Sequence, residues 1–136
     1  MILYLVVAAL AGAGVYAAST GAREVALLLL AVSGLVHTLF NKPRALCGRA
    51  RWGGCEVVLA SPYARPFGIP LELFGVAWFA GVLPLYHLGF GHAWGFLALL
   101  IIAVLVGIEI KLRTLCIYCT VAHVIGVIAA VLLLGL

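Results

Sequence analysis

Charge is scarce in this chain. Only 9% of its 136 residues are Asp, Glu, Lys or Arg, while 67% are hydrophobic. A soluble domain carries about 25% charged residues, so this chain has too little polar surface to cover itself in water. Period-2 alternation is also missing from its apolar runs. That argues against strands, because only closed barrels place strands in lipid. No Lys or Arg stands near Met1, so the positive start of a secretory signal is lacking, although Ala17, Ala18 and Ser19 resemble a cleavage site. No internal repeat or low-complexity tract is present. What remains is one compact membrane domain over 1–136. The net charge of +4 comes from basic residues set between apolar runs, which reads as membrane topology and not as nucleic-acid binding.

Five apolar runs stand out, at 2–18, 24–40, 69–88, 93–112 and 115–135. At about 1.5 Å rise per residue, roughly 20 helical residues cross a roughly 30 Å hydrocarbon core. The last three runs reach that length and the first two are near its short limit. One long break, Asn41 to Pro70, separates runs two and three. Its middle, Gly53 to Ala60, is apolar apart from Glu56 and too short to span, so it reads as a half-helix at the interface. Pro62, Pro66 and Pro70 break any longer helix there.

Alternating spans place Met1, the long loop and the Lys111–Thr114 turn on one face. That face carries Lys42, Arg44, Arg49, Arg51, Arg65, Lys111 and Arg113; the other carries Arg23 alone. The positive-inside rule then puts the first face in the cytoplasm.

All four cysteines lie on that face. Cys47 and Cys55 are on the long loop, with seven residues between them. Cys116-Ile117-Tyr118-Cys119 is a CxxC motif where the last span begins. With Thr114 as N-cap, Cys116 falls in the first helical turn, where the helix dipole and free N–H groups favour a thiolate. Redox CxxC motifs use this placement to speed exchange. Cys119, one turn deeper, faces the apolar interior. An outer pair on a loop and an inner pair on a helix suit a disulfide relay. A structural disulfide stays open as an alternative. So does a non-enzymatic four-cysteine metal site, although zinc sites of this kind usually show two short-spaced pairs; the expectation is no metal.

Other polar and aromatic residues divide between site and scaffold. His123 lies one turn beyond Cys119 on the same face and reads either as a pocket or proton-handling group or as a packed helix histidine. Phe74 and Trp78, four apart where the third span begins, could wall a ring. His37 reads as structural, Trp94 as interfacial belt, and Glu72 and Glu109 as partners of loop arginines. Gly75, Gly81, Gly107 and Gly126 read as close-packing positions.

At these residues the chain resembles the vitamin K epoxide reductase family. The matching pieces are Ala45-Leu46-Cys47, the gap to Cys55, Ser61, Phe67-Gly68-Ile69-Pro70, Phe74-Gly75 and Cys116-Ile117-Tyr118-Cys119, in the family's order over about 42–136. The resemblance implies an all-α integral membrane protein with a four-helix transmembrane bundle around a quinone pocket. Residues 24–136 would be that core, 42–70 its cysteine loop with the half-helix, and 2–18 an additional N-terminal transmembrane helix. It implies that Cys116 and Cys119 form the active-site pair, with Cys119 beside the quinone. Cys55 would exchange with Cys116, and Cys47 with a partner thiol. Ser61 would lie near the site. The family's vertebrate enzymes carry a tyrosine at the position of His123 and an asparagine at that of Leu71. Losing the asparagine argues against an epoxide reductase proper. The expected activity is thiol oxidation of a separate thioredoxin-like protein, coupled to a menaquinone- or ubiquinone-type quinone pool in the cell membrane, with lipid as the surrounding partner.

Overall fold

The structure is a computed structural model that describes residues 2–41 and 54–136. Six α-helices follow one another: α1 (Ile2–Ser19), α2 (Arg23–Phe40), α3 (Gly54–Ala60), α4 (Leu71–His87), α5 (Gly91–Lys111) and α6 (Ile117–Leu133). Among the described residues there is no strand. The protein is thus an all-α integral membrane bundle. Three helices, α1, α2 and α5, are at least 18 residues long and apolar enough to cross a membrane. Helices α4 and α6 have 17 residues each, near the lower limit for a span. They are shorter than the apolar runs at 69–88 and 115–135 because the flanking residues serve as caps.

The helix ends explain the boundaries. Gly21 follows α1 with φ +83°, and the amides of Gly21 and Ala22 close back on Ala18 and Ala17. This is a Schellman termination, which needs a left-handed residue. The same pair of bonds ends α5, but there the left-handed residue is Arg113, φ 52°. Its amide donates to Ile110 and that of Thr114 donates to Glu109. Thr114 gives its amide to closing α5, and α6 begins only at Ile117 with Cys116 as its cap, so Thr114 does not cap α6 as its side chain led one to expect. Between α3 and α4 the chain makes two short 3₁₀ turns, Pro62–Ala64 and Pro66–Gly68, each with proline where its missing N–H costs nothing.

Helix α2 is central. With α1, α4 and α6 it encloses a core of Val7, Leu30, Phe79, Ile125 and Ala129, and with α4 and α6 a second core of Leu27, Ala31, Val82 and Leu133. Helix α5 packs on α4 and α6. In lipid no hydrophobic force drives helices together, so close packing at small residues must do it. Gly34 lets the Phe79 ring lie against the α2 backbone, and Gly95 brings α5 to the Ala130 carbonyl. Trp78 and Trp94 clasp α4 to α5: each indole N–H donates to the other's backbone carbonyl, at 3.2 and 3.0 Å. Trp94 thus works as a helix clasp, a role its sequence reading as interfacial belt did not include. Gly81 leaves the space its ring occupies.

The Cys116 end of the bundle gathers the half-helix. Cys55 and Val58 of α3 form one buried cluster with Cys116 and Tyr118, and Lys111 at the end of α5 donates to the Tyr63 hydroxyl at 3.2 Å.

A methyl group at Gly34 has nowhere to go, because the Phe79 ring fills the space. Gly34→Ala is expected to destabilise the bundle by about 1–3 kcal/mol, the usual cost of overpacking. Thermal unfolding in detergent should show the loss, and Gly107→Ala, which meets open space, should not.

Candidate active site

Helix α6 begins at Ile117, and Cys116 is its N-cap. The cap residue has extended backbone (φ −96°, ψ 103°) and its sulfur accepts the Cys119 amide at 3.3 Å. A thiol therefore fills the place that Ser, Thr or Asp usually takes. Helix N–H groups converge on that sulfur, and they favour its anion. The Cys119 thiol also hydrogen-bonds it, and this bond is the main reason the Cys116 thiol titrates below the usual range; the helix amides add to it, while burial and Glu109 oppose it. Cys116 and Cys119 are both free thiols, Cys116 fully buried and Cys119 partly so. Cys55 is 3% exposed and disulfide-bonded. Cys47 lies outside the described residues.

A buried clamp sets the angle of this helix start. His37 of α2 is fully buried; its Nε2–H donates to the Tyr118 carbonyl at 2.9 Å. Only a donor suits that carbonyl, so Nδ1 is the acceptor and takes the Asn41 amide at 3.0 Å. The imidazole stacks on the Tyr118 ring, centroids 4.6 Å apart. The Tyr118 hydroxyl donates back to the Thr38 carbonyl at 3.3 Å. His37 has the structural role expected of it. Its partner on α6 was not legible, because Tyr118 lies 81 positions away in sequence.

Below the thiols lies a cavity of about 140 Å³. An apolar cavity of about that size accepts a single aromatic ring. Phe74, Trp78 and Phe79 of α4, Cys119 and His123 of α6, Thr38 of α2 and Leu59 of α3 are among its walls. Four of the residues singled out from sequence, Phe74, Trp78, Cys119 and His123, thus share one cavity. Ser61 does not line it; its hydroxyl donates to the Val58 carbonyl at 2.6 Å and helps end α3. Thr38 lines it without having been picked out from sequence, as do Tyr118, noted only as part of the CxxC motif, and Glu72, read there as a partner of loop arginines.

The wall's polar groups are mostly committed. The Trp78 N–H goes to Trp94, the Thr38 hydroxyl to the Gly34 carbonyl and the Tyr118 hydroxyl to Thr38. His123 and Glu72 keep their hydrogen-bonding capacity. His123 sits deeper, 4.0 Å from the Glu109 carboxyl. A flat ring with polar oxygens fits such a site: aromatic walls, one imidazole for an oxygen and one thiol beside it. Among the described residues, no group of three or more His, Cys, Asp or Glu side chains is placed to hold a metal ion.

Two outcomes follow from this geometry. Alkylation of Cys116 should reach half its maximal rate at a pH below the usual thiol value of about 8.5. Because Cys119 is the main cause, Cys119→Ala should move that midpoint back up; a midpoint unchanged in the variant contradicts the assignment. Separately, His37→Phe keeps the ring but removes the bond between helices to the Tyr118 carbonyl and strands the buried Asn41 amide. It should cost about 1–3 kcal/mol in detergent unfolding, the penalty for orphaned buried polar groups.

The chain matches the sequence model of the vitamin K epoxide reductase family over residues 5–134, nearly its whole length. No curated protein and no solved structure matches it. Members of the family are membrane oxidoreductases that act on thiols and quinones. A CxxC at the head of a membrane helix, over an aromatic cavity, is the kind of site such chemistry requires, and with the match over 5–134 it places this chain in the vitamin K epoxide reductase family.

Proposed function

We propose that this chain oxidises a separate thioredoxin-like protein and passes the electrons through two cysteine pairs to a quinone of menaquinone or ubiquinone type. The observation that carries the reading is the position of Cys119, on the wall of the aromatic cavity, one turn from the buried Cys116 that packs beside Cys55.

The reaction divides among named residues. Cys47 takes a thiol of the partner, and a Cys47–Cys55 disulfide is reduced as the partner's is formed. Cys55 then exchanges with Cys116, re-forming its own disulfide and reducing Cys116–Cys119. The thiolate character of Cys116 suits it to this exchange. Phe74 and Trp78 hold the ring and exclude water, and the His123 imidazole hydrogen-bonds one quinone oxygen. Ser61 supports α3 from its last turn and so holds Cys55 in place. The quinone supplies the oxidising power: two thiols become a disulfide, and it takes up two electrons and two protons. Leu71 lines the cavity where an amide would be needed to hold an epoxide oxygen, which favours quinone reduction over epoxide reduction.

The catalytic core in this reading is 24–136, since every wall of the cavity comes from α2 to α6, and α1 is an additional helix packed on α2. Five spans cross the cell membrane, with the cysteine end in the cytoplasm. Intracellular disulfide chemistry of that kind suits an organism whose cytosolic proteins are disulfide-rich.

Detergent-purified protein is expected to oxidise a reduced thioredoxin-like protein only when a quinone is added. Cys116→Ser should abolish turnover yet leave stability unchanged, because serine is itself a good N-cap; Cys116→Ala should lose activity and about 1 kcal/mol as well. Turnover that survives both Cys116→Ser and Cys119→Ala would sink the relay. For orientation, a reporter fused after Leu136 should report the side opposite the cytoplasm.

A further inference from the structure

Glu109 is the one buried acidic side chain among the described residues, 6% exposed in the last turn of α5. A carboxyl at that depth is costly as a bare anion and usually has a task. The nearest base in sequence does not serve it. Lys111 is two positions on, faces another way on the helix, and is engaged with Tyr63. The partners of Glu109 come from α6. The Cys116 amide lies against its carboxyl, which sets that carboxyl at the thiol end of α6. His123 Nδ1 is 4.0 Å from its Oε1, a gap that one water or a small rotamer change closes.

One carboxyl thus lies between the Cys116 end of α6 and the imidazole on the cavity wall. The helix period makes this possible, because Cys116, Cys119 and His123 fall on one face of α6 and α5 crosses that face at Glu109. The proton balance shows why it matters. Oxidising the dithiol breaks two S–H bonds and forms one S–S bond; two electrons and two protons leave for the quinone oxygens. Cys119 lines the cavity and can release its proton there. Cys116 is fully buried and does not line the cavity, so its proton needs a carrier.

We infer that Glu109 and His123 form a proton-return pair: the Glu109 carboxylate takes the proton that leaves Cys116, and His123 passes one to the quinone oxygen and is replenished from Glu109. Over one cycle the pair gains and loses nothing; both protons come from the two thiols. Glu109 acts through His123 and touches no substrate. The inference rests on the quinone reading above. The other ionisable groups facing this site are Glu72 on α4, at the cavity wall, and His37 on α2, whose two nitrogens are already bonded.

The test has one arm without quinone. Ligand-free reduced protein is oxidised with ferricyanide, which takes up the two electrons but no protons, and followed by infrared difference spectroscopy. A carboxylic-acid band should appear as Cys116 loses its proton, vanish in Glu109→Gln, and persist in His123→Gln, where the proton is held but not passed on. In the quinone assay, Glu109→Gln should lower kcat by about 100-fold with an unchanged KM for quinone, and Glu109→Asp should restore most of it. If the wild type oxidises no thiol when quinone is supplied, the functional reading fails. If the wild type turns over but no Glu109-dependent band forms, the proton-return pair is overturned. The same holds if Glu109→Gln keeps the wild-type rate and pH profile. Should Glu109→Gln misfold, the His123→Gln band and the Glu109→Asp rate decide on their own: no band, or no recovery, overturns the pair.

Discussion

The bond from the His37 imidazole to the Tyr118 carbonyl holds the redox end of the molecule together. It joins the end of α2 to the first turn of α6, and that turn carries both free thiols. An imidazole is suited to the task because its two nitrogens point in opposite directions. One donates to α6 while the other is fixed by Asn41, one turn further along α2. The Tyr118 hydroxyl completes the loop by returning to Thr38. Each bond of this kind is worth about 0.6–1.7 kcal/mol inside a membrane bundle. Together they set the rotation of α6, and rotation decides which cysteine faces the cavity.

With that rotation fixed, the two thiols of one short motif live in different surroundings. Cys116 is a helix cap and sits where amide dipoles converge. Cys119 is one turn down, on the cavity wall. A dithiol whose members differ in this way has a direction built into it: one sulfur is suited to exchange with an incoming disulfide, the other to hand electrons inward. Glu109 works against the Cys116 thiolate electrostatically, so the site does not simply maximise thiolate. A sulfur that is easily deprotonated but not locked as an anion can cycle between thiol, thiolate and disulfide.

Much of this was legible in the sequence, and the part that was not has a common cause. Apolar run length and proline positions locate all five long helices and the half-helix to within two residues of their observed bounds. Spacing along one helix face connects Cys119 with His123, and Phe74 with Trp78. What the chain alone could not show depends on register between helices. Thr114 looked like a cap for α6, but its amide closes α5 after the left-handed turn at Arg113, and the cap of α6 is Cys116. Trp94 read only as an interfacial residue, and the bond of its indole to the Trp78 carbonyl across the α4–α5 crossing was not legible. Tyr118 and Glu109 matter because of what lies opposite them, 80 and 14 positions away respectively. Local pattern carries no information about such distances.

The distribution of buried polarity ties these points to the membrane. Ser33, His37, Thr38, Asn41 and Glu109 are the buried polar residues among those described, and most of them sit toward the C-terminal ends of α2 and α5. Those ends meet the start of α6, so the polar interior is gathered around the cysteines. The far half of the bundle is held by glycine contacts and by the paired indoles, whose N–H groups are already used. Polar groups in lipid are tolerated where they bond one another or serve chemistry. Here they do both, and the gradient means that protons and exchangeable sulfur belong to one end of the cavity. A flat, apolar ring entering the cavity would therefore meet its hydrogen-bonding and electron-donating partners from that end, which imposes a single orientation on it. The same asymmetry explains how a chain with so few charges can hold a redox site: its one buried carboxyl among the described residues, Glu109, sits at the thiol end.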